Sequence, residues 1–504
     1  MRIADRIAAV MAVDPDACAI AQEGRWDRWR DVSTIADQVH EHLMSLPDDV
    51  AVGLITRNRV AVVSTLLGLL ARHRAVLTVN DMQPDAALAE EIEKLRPAVL
   101  VAVEEDWRRP GVEEAARQAG TLALVVERAP EAGVRVLHRP PSGAPDSYFT
   151  AGADCAISLK TSGTTGPPKR IELSYTSLSA SIAAVQSHHG GKEPERVHLR
   201  EGVTIQMLAL AHTSAIQTIC TTVAGGRQLT LLDRFEPWAW AKAVREHKVV
   251  TTGIPPAGIK MLLDSDVPAD WLSTLKAVRA GSAPLDPAVA EEFTARFGVP
   301  VLRAYGATEF QALASWTLKD YQRFNTTKKG AVGRVHPGVE VRVVREEDGS
   351  VLPVRSEGVL EVRTAQSAEG AGQWVRTSDL ARYDEDGFLW ILGRVDGAIN
   401  RGGFKIDAEE VARALRDHPA VSDAAVVAAP DARLGEVPVA CVELVSEADD
   451  PGEDRLKSWV RSRLEPYKVP ARIRSVALLP RTIALKPDKQ GVLRLVLGED
   501  LPIG

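Results

Sequence analysis

Residues 161–169 combine hydroxyl groups, glycines and a lysine in one short segment. The sequence there reads Thr161, Ser162, Gly163, Thr164, Thr165, Gly166, Pro167, Pro168 and Lys169. Glycines let backbone N–H groups approach an anion closely, and the hydroxyls and the ammonium add further hydrogen-bond donors. This chemistry fits a bound polyphosphate. The segment is not a Walker-type loop, because Pro168 stands where that loop has its second glycine; a polar surface turn is the alternative.

Other short motifs with chemically active side chains follow along the chain. They are Tyr305-Gly306-Ala307-Thr308-Glu309, Trp374 to Leu380 with Ser378 and Asp379, Gly393-Arg394-Val395-Asp396, Gly402-Gly403-Phe404-Lys405-Ile406, and Pro480-Arg481-Thr482 followed by Lys486. In this order, and together with the first segment, they resemble the motifs of the acyl-adenylate-forming (ANL) superfamily of acyl-CoA synthetases, adenylation domains and luciferases. The resemblance covers essentially the whole chain. Ser378 and Leu485 stand where that family usually has glycine.

The resemblance implies ATP-dependent activation of a carboxylic acid. That reaction brings two anions together, so positive charge must offset the repulsion between the acid and the α-phosphate. In the family pattern, Lys486 bridges the acid and the phosphate, with Lys489 as the second candidate. Glu309 is the expected Mg²⁺ ligand and Thr308 the expected donor to the α-phosphate. Outside their motifs, these lysines and this glutamate would be ordinary surface residues.

The resemblance also implies the residues that bind the nucleoside. Asp379 accepts from the ribose hydroxyls, and Arg394 contacts ribose or phosphate. Tyr305 is expected to stack on adenine. The turn that helps to hold the adenine consists of Gly281, Ser282, Ala283 and Pro284. Aromatic rings and turns of this kind are often only structural.

His212, in Leu210-Ala211-His212-Thr213, matches a family position between the acid pocket and the nucleotide. A lone histidine after an apolar run is otherwise a satisfied core residue. We expect the acid pocket to be lined near His212, Gly306, Ala307 and Gln311. The small residues among these, with Ala312, favour an aryl or medium-sized apolar acid.

The glycine-rich stretch 393–403 resembles the family's hinge. Asp396 is the expected pivot about which a small lobe rotates between two half-reactions. Gly403 is then expected beside a pantetheine-like chain, because a missing side chain leaves room for a narrow tunnel. Lys405 stands where the family carries a basic residue facing the adenylate. A flexible linker is the plainer interpretation.

Composition narrows the class of protein. A chain of 504 residues exceeds one compact core, so two or more domains are expected. A net charge of −7 argues against a nucleic-acid binder. The four cysteines have no Cys-x-x-Cys spacing, which predicts neither a zinc site nor a disulfide framework and favours the cytosol. The first residues do not resemble a signal peptide, and the apolar run from Val60 to Ala71 is too short to span a bilayer, so a buried helix is predicted there.

Short apolar runs at 51–55, 98–103 and 122–126 alternate with helical stretches such as 85–95, which predicts an α/β fold with parallel-sheet units. Strands at 339–344, 359–363 and 388–392 predict a small β-rich subdomain. We therefore expect a large N-terminal lobe of several subdomains at 1–393 and a small, mobile α+β lobe at 394–504. In the small lobe, strands are predicted at 421–429 and 438–445. Asp407 is predicted to cap a helix beginning at Ala408, with Glu410 completing a capping box.

The sequence therefore predicts a ligase that forms an acyl-adenylate from ATP and a carboxylic acid, with Mg²⁺, and releases pyrophosphate. Coenzyme A is the favoured acceptor, because residues 402–406 look most like acyl-CoA ligases and no carrier domain is expected after the chain. An amine, giving an amide synthetase, or the pantetheine of a separate carrier protein are alternatives. A non-catalytic nucleotide- or acyl-binding relative is the hypothesis of a different class. No nucleic-acid partner and no membrane span are expected.

Overall fold

The computed structural model describes residues 2–129, 133–140, 148–161, 169–189, 196–282, 285, 287–367, 372–394, 398–446, 450–480 and 488–498. The side chains of Thr161, Lys169 and Arg394 are outside this description. The architecture is α/β, with four sheets and helices packed between and around them.

The helices of the described residues are, in chain order, α1 Ile3–Met11, α2 Trp29–Glu41, α3 Val60–Ala71, α4 Asp85–Leu95, α5 Glu104–Trp107, α6 Val112–Gln118, α7 Tyr175–His188, α8 Thr213–Ala224, α9 Pro237–Glu246, α10 Pro256–Leu263, α11 Pro287–Phe297, α12 Leu318–Phe324, α13 Ala408–Arg416, α14 Glu453–Arg461 and α15 Lys489–Leu497. Two 3₁₀ turns, Ala269–Leu272 and Pro466–Lys468, supplement them. None of these helices is long and apolar enough to cross a lipid bilayer.

The strands are β1 Cys18–Gln22, β2 Arg25–Arg28, β3 Val52–Thr56, β4 Val76–Asn80, β5 Val99–Ala102, β6 Leu122–Val126, β7 Val134–His138, β8 Cys155–Thr161, β9 Lys169–Ser174, β10 Val203–Gln206, β11 Gln228–Leu231, β12 Thr251–Gly253, β13 Ala277–Ala280, β14 Val301–Ala307, β15 Gln311–Ser315, β16 Gly333–Val335, β17 Val339–Val344, β18 Gly358–Thr364, β19 Trp374–Tyr383, β20 Phe388–Arg394, β21 Ile399–Arg401, β22 Phe404–Ile406, β23 Val421–Asp431, β24 Gly435–Leu444 and β25 Arg472–Val476.

A seven-stranded sheet contains the first predicted βα units. Its order is β7-β6-β5-β3-β4-β8-β9, parallel through the centre and antiparallel at both edges. The central strands are buried, as expected for a parallel sheet covered on both faces. Helix α3 is also buried, in a core that includes Trp29 and Ile219, because its apolar residues occur around its whole circumference. The predicted buried helix and the predicted parallel sheet are confirmed.

A nine-stranded sheet, in the order β12-β13-β14-β15-β16-β20-β19-β18-β17, forms the second large layer. Its first three strands are parallel and the rest antiparallel. The strands predicted after residue 330 are present, and β16, which pairs with both β15 and β20, joins this β-rich region to the larger sheet. A smaller sheet, β10-β11-β1-β2, completes the layers before residue 395.

The remaining strands form a separate five-stranded sheet, β22-β21-β24-β23, with β25 paired to β24. Asp407 caps α13 by accepting from the backbone N–H of Glu409, which confirms the predicted cap. The predicted capping box is wrong, because the Glu410 carboxylate pairs with the Lys468 ammonium instead. An ion pair that spans 58 residues is invisible to local sequence rules.

The four cysteines are free thiols. Cys155, Cys220 and Cys441 are buried, and burial raises the pKa of each thiol, to about 12 for the first two and about 11 for Cys441. Buried thiols with raised pKa values are unreactive at neutral pH.

Candidate active site

A cavity of about 280 Å³ lies where the five-stranded sheet meets the larger sheets. Its walls come from the carboxyl ends of β13 and β14, the N-terminus of α8, strand β22 and the 3₁₀ turn Pro466–Lys468. Carboxyl ends of parallel strands are the usual place for a ligand in an α/β sheet. Here one cavity is lined both by the larger sheets and by the separate five-stranded sheet.

The β14–β15 hairpin forms one wall. Its backbone is so close-packed that a Cβ on Gly306 would lie 2.3 Å from the carbonyl oxygen of Gln311. Only glycine fits there, and its backbone consequently lines the cavity. The connecting residues Thr308 and Glu309 also face the cavity, and the Thr213 hydroxyl of α8 lies 3.0 Å from the Thr308 hydroxyl. The motif at 305–309 is therefore held by close packing of its backbone at Gly306 and by the hydroxyl contact of Thr308.

Glu309 fits the requirement of Mg²⁺. Its carboxylate lines the cavity and forms no ion pair within the described part of the chain. Those residues also contain no cluster of three or more potential metal ligands. Mg²⁺ in phosphate-handling sites is commonly bound through one or two carboxylates together with substrate oxygens. A single unpaired carboxylate beside Thr308 matches this pattern.

His212 is the N-cap residue of α8 and lines the same cavity. Burial lowers the pKa of its imidazole to about 4, so the ring is neutral at pH 7. The backbone N–H groups of the next two residues, Thr213 and Ser214, donate to no other described residue. Free N–H groups at a helix N-terminus favour a bound anion. This end of α8 is therefore suited to a carboxylate or a phosphate.

Tyr305 and Asp379 form a linked pair. The Tyr305 hydroxyl donates to the Asp379 carboxylate, while the tyrosine ring packs 5.9 Å from that of Phe310. Tyr305 lines the cavity, whereas Asp379, which is 7% exposed, lies behind it on β19. Asp379 pairs through its backbone with Arg394 of β20. The predicted ribose residue therefore adjoins the predicted adenine residue.

The predicted phosphate loop connects β8 and β9, whose end residues Thr161 and Lys169 are paired. Lys160, next to this pair, lines the cavity and lies 3.2 Å from the buried carboxylate of Glu91. Residues 162–168 are outside the described residues. Both ends of the loop nevertheless leave the sheet beside the cavity.

A chain of amide groups forms the wall farthest from the five-stranded sheet. Gln217 of α8 donates to Gln311 and to Ser181, at 2.9 and 3.0 Å. Gln311, 2% exposed and with a φ of 57°, donates in turn to the backbone carbonyl of Gln366, at 2.9 Å. Gln217 and Gln311 both line the cavity.

The opposite wall comes from the C-terminal part of the chain. Gly403, Phe404 and Lys405 line the cavity. The Phe404 ring contacts the His212 ring at 4.5 Å and stacks on Tyr467 at 4.1 Å. Lys405 forms no ion pair with another described residue. An aromatic stack and one unpaired ammonium therefore face the helix N-terminus.

Lys468 lies beneath this aromatic stack and is only 3% exposed. Its ammonium lies 2.7 Å from Glu410 and 2.9 Å from Glu465. Burial would lower the pKa of Lys468, but the two carboxylates outweigh burial and raise it. Lys468 is thus charged and fully paired, and it holds the 3₁₀ turn against α13.

Most of the predicted site residues that the structure describes line this one cavity: His212, Gly281, Ser282, Tyr305, Gly306, Ala307, Thr308, Glu309, Gln311, Gly403 and Lys405. Predicted residues that lie outside the described residues are Ser162, Gly163, Thr164, Thr165, Gly166, Ala283, Pro284, Asp396 and Lys486. The cavity is also lined by residues for which we predicted no role, among them Gln217, Phe404, Tyr467 and Lys468. The aromatic residues within 402–406 and 466–468 could have indicated Phe404 and Tyr467 from the sequence. No sequence feature near Gln217 indicates a role for it.

Comparison with known proteins agrees with this geometry. The family described as AMP-binding enzyme matches residues 7–370, and its C-terminal domain matches residues 410–486. One relative, 4-coumarate–CoA ligase-like 9 of Oryza sativa subsp. japonica, is 30% identical over 66% of this chain and 62% of its own. Another, peroxisomal OPC-8:0-CoA ligase 1 of Arabidopsis thaliana, is 24% identical over 93% of this chain and 87% of its own.

Among solved structures, the amide bond synthetase McbA from Marinactinospora thermotolerans is similar with a TM-score of 0.83 and 25% identity, covering 99% of this chain and 100% of its own. The family match extends over more than half of the chain. The chain therefore belongs to the AMP-binding enzymes of the acyl-adenylate-forming superfamily, as a ligase that activates a carboxylic acid with ATP.

Proposed function

We propose that this ligase transfers the activated acyl group to coenzyme A, which would make it an acyl-CoA ligase. The observation that carries the proposal is the shared cavity, where Thr308, Glu309 and the N-terminus of α8 face Gly403 and its hairpin. The curated relatives named as CoA ligases support the same acceptor.

In the first step, a carboxylate oxygen of the acid attacks the α-phosphorus of ATP, and pyrophosphate leaves. The free N–H groups of Thr213 and Ser214 are suited to hold the carboxylate, and the neutral His212 ring separates it from the C-terminal wall. We assign Thr308, whose hydroxyl is held by that of Thr213, to the α-phosphate. We assign Lys486 to the charge that develops on the transferring phosphoryl group. Mg²⁺ held by Glu309 would neutralise phosphate charge.

We assign nucleoside binding to Asp379, Tyr305 and the turn that begins at Gly281 and Ser282. Asp379 is suited to the ribose hydroxyls because a carboxylate has two oxygens that can accept from both of them. The residues 161–169 are assigned to the β- and γ-phosphates. Arg394 is assigned to ribose or phosphate.

In the second step, a thiol attacks the acyl carbon of the adenylate, and AMP leaves. A Cβ on Gly403 would lie 3.2 Å from both the Cβ and the carbonyl oxygen of Ser282, so the two lobes touch at a residue without a side chain. This contact supports the passage of a narrow pantetheine chain beside Gly403. Lys405, unpaired among the described residues, is suited to the adenylate phosphate. We place the hinge for the intervening rotation at Asp396, between lobes 1–393 and 394–504.

An amine acceptor is the second candidate, supported by the likeness to an amide bond synthetase over 99% of this chain. The charges on the C-terminal wall of the cavity also support an amine acceptor. Lys468 is already paired with two carboxylates there and is not available for the phosphates of coenzyme A. We propose the cytosol as the compartment, since buried free thiols suit a reducing environment.

The test is pyrophosphate release with ATP and Mg²⁺ across a panel of carboxylic acids, with coenzyme A, a mixture of amines, or neither. Mass spectrometry identifies the products. A thioester formed only with coenzyme A supports the first proposal. Amide without thioester supports the second candidate, and pyrophosphate release that never leads to either product contradicts both acceptors.

A further inference from the structure

The orientation of the Gln311 amide is determined by a backbone group. Its Nε2 lies 2.9 Å from the carbonyl oxygen of Gln366, and a carbonyl oxygen can only accept. The nitrogen of Gln311 must therefore face Gln366, which turns its Oε1 towards Gln217. The φ of 57° and 2% exposure of Gln311 leave the side chain no solvent alternative.

The Gln217 amide is determined by the same logic. Since Gln311 presents an oxygen, Gln217 must present its nitrogen, and both N–H bonds of this nitrogen are used, on Gln311 at 2.9 Å and on Ser181 at 3.0 Å. The Oε1 of Gln217 accepts from no described residue. Because the Gln217 side chain lines the cavity, the wall offers an unused hydrogen-bond acceptor.

The position of Gln217 along α8 shows which part of a ligand would meet this acceptor. It follows His212 by five residues, or about 7.5 Å along the helix axis. The C-terminal wall touches α8 at the His212 end, through Phe404. Gln217 is therefore at the inner end of the cavity, away from the acceptor side and from the free N–H groups of the helix N-terminus.

We propose that the preferred acid carries a hydrogen-bond donor, a hydroxyl or a ring N–H, about 7 Å from its carboxyl group, and that this group donates to Oε1 of Gln217. The proposal rests on the proposed function, because it takes the carboxyl group to lie at the N-terminus of α8. The cavity is also lined by the small residues Gly306, Ala307 and Ala312, which leave room for a planar ring. These small residues alone predict an apolar acid, and the hydrogen bond to Gln217 adds one polar group to that acid.

The selectivity has a physical cause. A hydroxylated acid satisfies Oε1, whereas an unsubstituted ring takes it out of water without a partner. A methoxy group is worse, because it brings a second acceptor against the first. Sites built to pair a substrate hydroxyl discriminate strongly against analogues that lack it.

The test measures kcat/KM for pyrophosphate release with matched aryl acids that carry a hydroxyl, a methoxy group or hydrogen at the far ring position. For the wild type, we expect the hydroxyl acid to exceed both analogues by ten-fold or more. In Gln217→Leu this ratio should collapse towards one. Gln118→Leu on the exposed face of α6 is the matched control and should keep the wild-type ratio.

Equal rates for the three acids in the wild type would overturn the inference while leaving acid activation intact. An unchanged hydroxyl preference in Gln217→Leu would also overturn the inference, because another residue would then accept the hydrogen bond from the acid. No pyrophosphate release with any acid, including indole- and pyrrole-type acids, would contradict the proposed function and the inference together.

Discussion

The two walls of the cavity are built in different ways. The wall from the larger lobe is a network of hydrogen bonds that spans helix α8, the hairpin β14–β15 and Gln366. The wall from the smaller lobe is an aromatic stack supported by Lys468 and its two carboxylates, all within the smaller lobe. Across the cavity, the walls meet at the ring contact of His212 with Phe404 and at Ser282 with Gly403.

One wall is tied to the rest of the large lobe by hydrogen bonds, whereas the other is held together by contacts within the small lobe. In our proposal, the small lobe moves as one unit, and a second face of it replaces the first at the cavity. We therefore expect substitutions in the small lobe to affect individual reaction steps, and substitutions in the large lobe to affect which acid is chosen.

The largest expected effect tests this division directly. Lys486→Ala should reduce adenylate formation by about 10²–10³-fold, because it removes positive charge from the transition state. Transfer from a presynthesised adenylate should fall far less. Single-turnover assays of each step measure the two effects. Lys489→Ala, at the start of α15, removes the second candidate for this role and should leave adenylate formation intact if Lys486 is the catalytic lysine. Equal losses in both steps would contradict the division of labour between two faces of the small lobe.

A substitution at Gly403 should have the opposite effect on the two reaction steps. Gly403→Ala places a Cβ about 3.2 Å from Ser282 and strains a φ of 99°, so acyl transfer should slow by about ten-fold or more while adenylation is spared. Gly402→Ala is the matched control, because its φ of 58° is also positive but its Cβ would contact only Leu434 of the same lobe. If both variants slow transfer equally, backbone strain and not the contact between lobes is responsible.

A change in the free energy of unfolding should distinguish the small lobe from the large one. Lys468→Met leaves the buried Glu465 and the half-buried Glu410 without a counter-charge, which should cost about 3 kcal/mol of unfolding free energy. The exposed pair of Lys94 with Glu90 provides the control, and Lys94→Met should cost about 0.5 kcal/mol or less. Denaturant unfolding followed by circular dichroism, together with catalytic assays, measures the change. A loss no larger than that of the control would show that the triad does not support the aromatic stack.

The smallest expected effect is a pH dependence of the large lobe. Burial lowers the pKa of His212 to about 4 and of His189 and His336 to about 3, from an ordinary 6.5. Below pH 6.5 the unfolded chain binds protons that the folded chain does not, so stability should fall as the pH drops from about 6.5 towards 4. Thermal unfolding between pH 8 and pH 5 should show Tm decreasing by several degrees.

His336→Gln should flatten this dependence, because it removes one of the buried groups that must stay neutral. A Tm that is constant or rises on acidification would contradict the buried-imidazole account. Because the His212 ring is neutral in this pH range, its titration should cause no change in kcat/KM near pH 6.5.

Much of the fold follows from local patterns. Helices α3 and α4 and strands β6 and β17 have the predicted bounds, because each has an uninterrupted apolar or amphipathic pattern between clear breakers. The joining of β16 to β15 and β20 did not follow, since pairing between strands that are not joined by a short turn depends on tertiary packing. Glu410 failed as a capping residue for the same reason, because Lys468 competes for it.

The candidate site divides in the same manner. Thr308, Glu309 and Gly403 are indicated by motifs whose residue types are needed together, and the structure places all three at one cavity. The roles assigned to these residues stay predictions. Gln217 gave no signal, because a glutamine in the middle of a helix has no distinctive neighbours and its meaning depends on a carbonyl 149 positions later. Hydrogen-bond chains of this kind become visible only in three dimensions.

The burial of Cys155, Cys220 and Cys441 also opens a route to optical measurement. Thiols that stay protonated and inaccessible do not react with maleimide dyes at neutral pH, so after replacement of Cys18 new cysteines would be the labelling sites. Met44 in the larger lobe and Leu478 in the smaller lobe are 74% and 71% exposed and suit such positions. A donor and an acceptor dye there would report the separation of the lobes in single molecules during turnover.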